Sequence, residues 1–222
     1  MHELNESVDH FVVSEASWTH RRVPKPLYFA RNRERYIKFR DKIIHLVIDY
    51  SAFGHLVNGR KIHQTGGILW TFEETHRKAT QKRFEEGHGQ FEPDAIVIDG
   101  DVDEIPTGHF IYHLKHCETK SEFDTVIINN NLFYFNFRWV KRNNWQQPAV
   151  TLNNNVKRFQ RGLAYKDGRC SLVMVKNPIC WHISYYGNPA FLMWKSLSIA
   201  EGGKIHKEIF NVKKVRESRE LG

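Results

Sequence analysis

The chain is poor in cysteine and has no long apolar run, and each shortage excludes a class of protein. Its three thiols, Cys117, Cys170 and Cys180, lie far apart, lack CxxC spacing and are odd in number. They cannot close a fully paired disulfide framework, so reduced and mostly buried thiols are expected. The longest apolar stretches, such as Ala95 to Ile98, are strand-sized, whereas a membrane-spanning helix needs about 20 apolar residues. No span is therefore expected. The start, MHELNESVDH, has acids and a histidine where a secretory leader carries basic and then apolar residues, which predicts a soluble, cytoplasmic chain. No internal repeat and no Pro/Gly/Ser-rich linker interrupts the sequence, so a single domain over residues 1–222 is expected.

What is present in excess is positive charge. Thirty-three Lys and Arg against 25 Asp and Glu give a net charge of +8, which admits a polyanionic partner. The basic residues are nevertheless scattered in short groups such as Arg21-Arg22, Lys141-Arg142 and Lys213-Lys214. A nucleic-acid-binding tail carries a long like-charge block instead, so no nucleic-acid partner is expected.

Hydrophobic patterning suggests the layout. Phe11 to Val13, Lys42 to Asp49 and Asp94 to Asp99 are short β-branched runs that each end at a polar or acidic residue, as buried parallel strands do. Helical segments, Leu27 to Arg40 and Ile68 to Glu86, alternate with them. The first half therefore predicts a doubly wound α/β sheet. A helix over Gly108 to Cys117 follows, and then Asp124 to Trp139 alternates as antiparallel sheet does. Strands at Ser171 to Val175 and Cys180 to Tyr185 precede a helix opening near Asn188-Pro189.

In open α/β sheets ligands bind beyond the carboxyl ends of the strands. Glu15, Asp49 and the cluster Asp99-Gly100-Asp101-Val102-Asp103-Glu104 stand there. Four carboxylates in six residues repel one another unless a cation joins them. Hard cations such as Mn2+ and Mg2+ take carboxylate oxygens and complete their shell with phosphate. In an extended or turning segment Asp101 and Asp103 point to one side. The alternative is an acidic turn in which Asp103 or Glu104 caps the following helix.

Several segments in order resemble glycosyltransferase family 17, that of the N-acetylglucosaminyltransferase which adds the bisecting GlcNAc to N-glycans. They are Phe11-Val12-Val13-Ser14-Glu15-Ala16, Pro24 to Phe29, Asn32 to Tyr36, Lys42 to His45 and Ile98 to Pro106. The likeness resumes at Tyr134 to Trp139 and Cys180 to Gly187. It implies a GT-A type fold, Rossmann-like and mostly parallel with flanking helices and a smaller antiparallel acceptor-side part. Residues 1–106 would form the nucleotide-sugar half and 107–222 the acceptor half. It also implies an inverting, metal-dependent transfer of a sugar, GlcNAc by expectation, from a UDP-sugar to a glycan or glycoprotein hydroxyl. The compartment would be the Golgi lumen if the chain is a piece of an anchored protein.

The resemblance places metal ligands on Asp101 and Asp103, with Asp99 and Glu104 beside them; Asp99 is read as a donor contact, and Glu104, because it adjoins the metal acids, is the choice for general base, with Glu201 behind it. Glu15 and Lys25 fall in the donor-side motif, and Trp70, Glu73 and Arg77 match a further family pattern. Arg77 would contact the donor, since its planar fork suits phosphate. A helical ion pair with Glu73 or Glu74 is the alternative. His182 is read as a late metal ligand or as a satisfied core histidine. Trp139, Trp145 and Trp181 offer flat faces to a sugar or belong to the core. The loops Ser51 to Gly67 and Arg138 to Lys157 are expected to read the acceptor. A metal-dependent nuclease or phosphotransferase, and a non-catalytic carbohydrate-binding protein, are the competing readings.

Overall fold

The first two apolar runs pair with each other. In the computed structural model β1 (Phe11–Ala16) and β2 (Ile43–Ile48) form a two-stranded parallel sheet, in register from Phe11 opposite Ile43 to Ala16 opposite Ile48. The structure describes residues 1–49, 66–88, 91–117, 125–152, 171–173 and 179–199. Cys170, Glu201, the charged tail, most of the loop from Ser51 and the side chain of Trp70 lie outside the described residues.

Between β1 and β2 the sequence predicts one helix over Leu27 to Arg40. The chain instead makes a short α1 (Tyr28–Arg31) and a 3-10 stretch, Arg33–Lys42. Asn32 separates them, and its side-chain Nδ2 donates to Tyr28 O at 2.7 Å. An asparagine that bonds nearby backbone competes with helix continuation. The long helix α2 (Gly66–His88) packs beside β1 and β2. Phe72 is buried against Ala16 and Ile48, with Ala79 alongside. On the same helix face Thr80 Oγ1 lies 2.7 Å from Ser14 Oγ.

The remaining strands make a six-stranded sheet: β3 (Ile96–Asp99), β4 (Glu104–Pro106), β5 (Thr125–Tyr134), β6 (Val140–Leu152), β7 (Ser171–Val173) and β8 (Cys180–Ser184). The order is β3-β6-β5-β8-β4, with β7 also on β5. Pairs β3–β6, β5–β6 and β4–β8 are antiparallel, whereas β5–β8 and β5–β7 are parallel. Its core gathers Val126, Ile128, Val150 and Cys180, with Ile96, Ile98, Phe110, Leu114 and Ile179 against them.

This corrects the expected Rossmann-like, mostly parallel GT-A sheet. The sheet is mixed and mostly antiparallel, and the parallel order of the first two runs stops at a separate pair of strands. The run Ile96–Asp99, read as a third parallel strand, pairs antiparallel with β6, Ile98 opposite Val150. An apolar β-branched run reports that a strand is covered; it carries no information about the direction of its neighbour.

Two helices begin on caps. Thr107 Oγ1 accepts from Phe110 N at 3.2 Å to start α3 (Gly108–His116), and Asn188 Oδ1 accepts from Phe191 N at 2.9 Å to start α4 (Pro189–Ser198). Thr107 caps α3, so the acids before it do not. Two compact units emerge: Met1–Asp9 with Gln90–Tyr186 and Gly222, and His10–Gly89 with Gly187–Leu221. The first holds the six-stranded sheet and the second the parallel pair.

Candidate active site

The acidic cluster is the link between β3 and β4. Asp99 closes β3, opposite Ala149 on β6. Gly100 follows at a close approach: a Cβ there would lie 2.8 Å from Pro148 Cβ and 3.4 Å from Glu104 Oε2. The chain then turns, with Glu104 N donating to Asp101 O at 2.9 Å. The Glu104 carboxylate closes the same turn, Oε2 accepting from Asp101 N at 2.7 Å. Its other oxygen, Oε1, accepts from Trp145 Nε1 at 2.7 Å.

Glu104 is buried, 5% exposed, and a buried carboxylate is tolerable only when hydrogen-bonded in this way. Asp103 is partly exposed and Asp101 exposed. Pairing of β4 with β8 sets Glu104 opposite His182, and Ile183 N donates to Asp103 O at 3.2 Å. The His182 ring therefore lies between two acids, Nε2 3.6 Å from Asp103 Oδ1 and Nδ1 3.8 Å from Glu104 Oε1. The Trp145 ring meets it edge-on at 4.8 Å between centroids. Burial, and then the charge of Glu104, push the Cys180 thiol far above its ordinary range.

These residues suit a divalent cation. His182 is 5% exposed and its Nδ1 makes no hydrogen bond. Nε2 and Asp103 Oδ1 face each other slightly beyond hydrogen-bond distance. Adjacent ligands of a cation held at about 2.1 Å stand roughly 3 Å apart, and such ions take one or two protein ligands plus phosphate oxygens and water. Asp103 and His182 fit that pattern, with Asp101 on the same turn. Among the described residues no three His, Cys, Asp or Glu side chains converge as a complete ligand group.

The structure thus places Asp99, Asp101, Asp103 and Glu104 along one turn of the first unit, with His182 on the neighbouring strand opposite Glu104 and facing Asp103. Glu15, Lys25 and Arg77 belong to the second, and each has a partner there. Glu15 is buried; Oε1 accepts from Phe29 N at 2.5 Å, and Oε2 accepts from Ala30 N at 3.1 Å and lies 2.9 Å from His45 Nε2. It satisfies the opening amides of α1 as a cap would. Lys25 Nζ sits 5.5 Å from the Tyr28 ring centroid. Burial pulls its pKa down, and Glu15 opposes that shift. Arg77 Nη2 pairs with Glu73 Oε1 at 2.5 Å, and His20 Nδ1 is 3.6 Å from the other oxygen of Glu73.

Two partners were not legible beforehand. His45 was visible only as part of an apolar strand, although a lone histidine in such a run signals a buried polar partner on the next strand. For Trp145 the sequence leaves a sugar platform and a core residue open, and its indole N–H is spent on Glu104. Trp139 is 41% exposed and Trp181 half-buried.

The model of glycosyltransferase family 17 matches residues 1–189. The chain belongs to glycosyltransferase family 17, and it is a glycosyltransferase. Searches of curated proteins and of solved structures find no match. Such an enzyme takes a sugar donor and an acceptor. No described helix is long and apolar enough to cross a membrane.

Proposed function

We propose that the chain is a metal-dependent, inverting transferase that moves a sugar, N-acetylglucosamine by family, from its UDP donor to a hydroxyl of a glycan or glycoprotein. The observation that carries the reading is the approach of Asp103 Oδ1 to His182 Nε2 at 3.6 Å, on a turn that also presents Asp101. Asp101, Asp103 and His182 would hold Mn2+ or Mg2+, and Asp99 stands beside them toward the donor. When bound, such a cation neutralises the charge that builds on the departing diphosphate.

The chain's own residues do the positioning. Glu104 ties the amide of Asp101 to the indole of Trp145, which fixes the backbone of the turn that carries both aspartates. Trp145 and the strand pairing of β4 with β8 fix the His182 ring between the acids. Inversion requires a group to take the acceptor's proton. For Glu104 to do so, an acceptor hydroxyl must reach one of its oxygens, each of which already accepts one hydrogen bond; without that approach Glu104 is a positioning residue. Glu15, Lys25 and Arg77 enter as donor contacts on the strength of the family resemblance.

The test is thermal unfolding of the full chain with UDP, with Mn2+ and with both, because a ligand that binds only the folded state raises its stability. A rise that needs both together is expected. A rise with UDP alone, or none, would remove the metal from the proposal.

A further inference from the structure

A second group of chemically active side chains lies on α3 and takes no part in the site above. His109, His113 and His116 stand at i, i+4 and i+7, and Cys117 follows at i+8 as the helix C-cap, which puts all four on one side of the helix. All four are exposed. The opposite side does the packing: Ile111 is buried, and Phe110 and Leu114 lie against the core. The histidines are therefore not held in place by burial.

Two of them meet by their ring nitrogens. His109 Nε2 is 3.0 Å from His113 Nε2, with ring centroids 4.3 Å apart. The other nitrogen of His113, Nδ1, lies 3.3 Å from Cys117 Sγ. His116 is turned elsewhere, its ring 4.5 Å from that of Tyr112. Nitrogen ligands bind Zn2+ at about 2.0–2.1 Å, so two adjacent ones stand roughly 3.0–3.4 Å apart. The two Nε2 atoms already have that separation. A ligating histidine characteristically gives its second N–H to a neighbour that orients the ring, and Cys117 Sγ occupies that place for His113.

We propose that His109 and His113 form a chelating site for a borderline divalent transition metal, Zn2+, Ni2+ or Cu2+, on the outer side of α3. Imidazole pairs favour these ions over Mg2+ and Mn2+, which separates this site chemically from the aspartate turn. Each neutral ring keeps one N–H on binding. The donor of the His109–His113 bond moves its proton from Nε2 to Nδ1, and both Nε2 lone pairs go to the metal while water fills the remaining positions. The site clamps one turn of α3 and does not depend on the transferase chemistry.

The test is calorimetric titration of the full chain with Zn2+ alone, comparing the native sequence with His109→Ala, His113→Ala, Cys117→Ser and the double variant Asp101→Ala/Asp103→Ala. Each single histidine variant is expected to lose at least tenfold in affinity, with unchanged circular dichroism. The aspartate double variant and Cys117→Ser are expected to bind within a few-fold of the native chain. Copper titrated in place of zinc should show two nitrogen donors by electron paramagnetic resonance, and one in either histidine variant. Undiminished binding in both histidine variants overturns the proposal. So does a loss in Cys117→Ser as large as that in His109→Ala, which would move the site to the His113–Cys117 pair.

Discussion

Trp145 donates its indole N–H to Glu104 Oε1 at 2.7 Å, joining the middle of β6 to the first residue of β4. The residues are 41 positions apart, and their bond connects the long hairpin of the sheet to the acidic turn. Trp145→Phe removes the donor and leaves one oxygen of a buried carboxylate short of a partner. The expected loss of stability is about 1–3 kcal/mol, read by urea denaturation. An unchanged midpoint would mean that water replaces the indole without penalty.

Glu104→Gln separates the two roles open to this side chain. With Oε1 and Oε2 both engaged, the acid limb of the pH profile of kcat/KM is expected to persist while the KM for the donor rises. Loss of the limb, with kcat down by about 100-fold or more, would return the general base to Glu104.

Asp101→Ala/Asp103→Ala is expected to abolish transfer while circular dichroism and the unfolding temperature stay near those of the native chain. Both acids lie on a partly or fully exposed turn, where truncation usually costs no more than about 0.5 kcal/mol. Full activity in the double variant would remove these acids from the reaction.

Gly100→Ala tests the close approach behind the turn. Its Cβ would sit 2.8 Å from that of Pro148, which is fully buried and cannot yield easily. A destabilisation of about 1–3 kcal/mol is expected from overpacking, with reduced activity because the strain falls on Asp99 and Asp101. A Gly100→Ala protein as stable as the native one would show that β6 can shift.

Thiol chemistry should divide Cys117 from Cys180. Alkylation at pH 8, followed by peptide mapping, is expected to label the exposed Cys117 quickly and Cys180 only on unfolding. Cys180 has its pKa raised in the folded state, first by burial and then by Glu104. Its contribution to stability is therefore complete below the unfolded thiol value of about 8.5 and falls away as pH rises beyond it. Native-state labelling of Cys180 at a rate near that of Cys117 would contradict this.

Much of the local structure was legible in the residues. The strand at Phe11, the helix after Thr107 and the proline-led helix after Asn188 all form where turn chemistry and apolar periodicity place them. The break at Asn32 was not, because it turns on one side-chain bond to Tyr28 O. The acids at 99–104 were visible as a concentration of like charge needing a purpose. Their division of labour was not: Glu104 faces inward to Trp145 and the Asp101 amide, whereas Asp101 itself is exposed.

The sequence alone therefore determined where several strands and helices lie, which carboxylates gather after β3, and the family to which the chain belongs, since each of these is written in local pattern and order; Arg138 to Lys157, expected as an acceptor loop, instead forms β6 over Val140–Leu152. Tertiary structure decided the direction in which the strands pair, the mostly antiparallel sheet that results, and the partners of Glu15, Glu104 and His182. Those depend on contacts between distant residues, such as Glu104 with His182 and Glu15 with His45. Buried polar groups must find a hydrogen-bond partner wherever packing brings one within reach, and no local run of residues specifies which one that is.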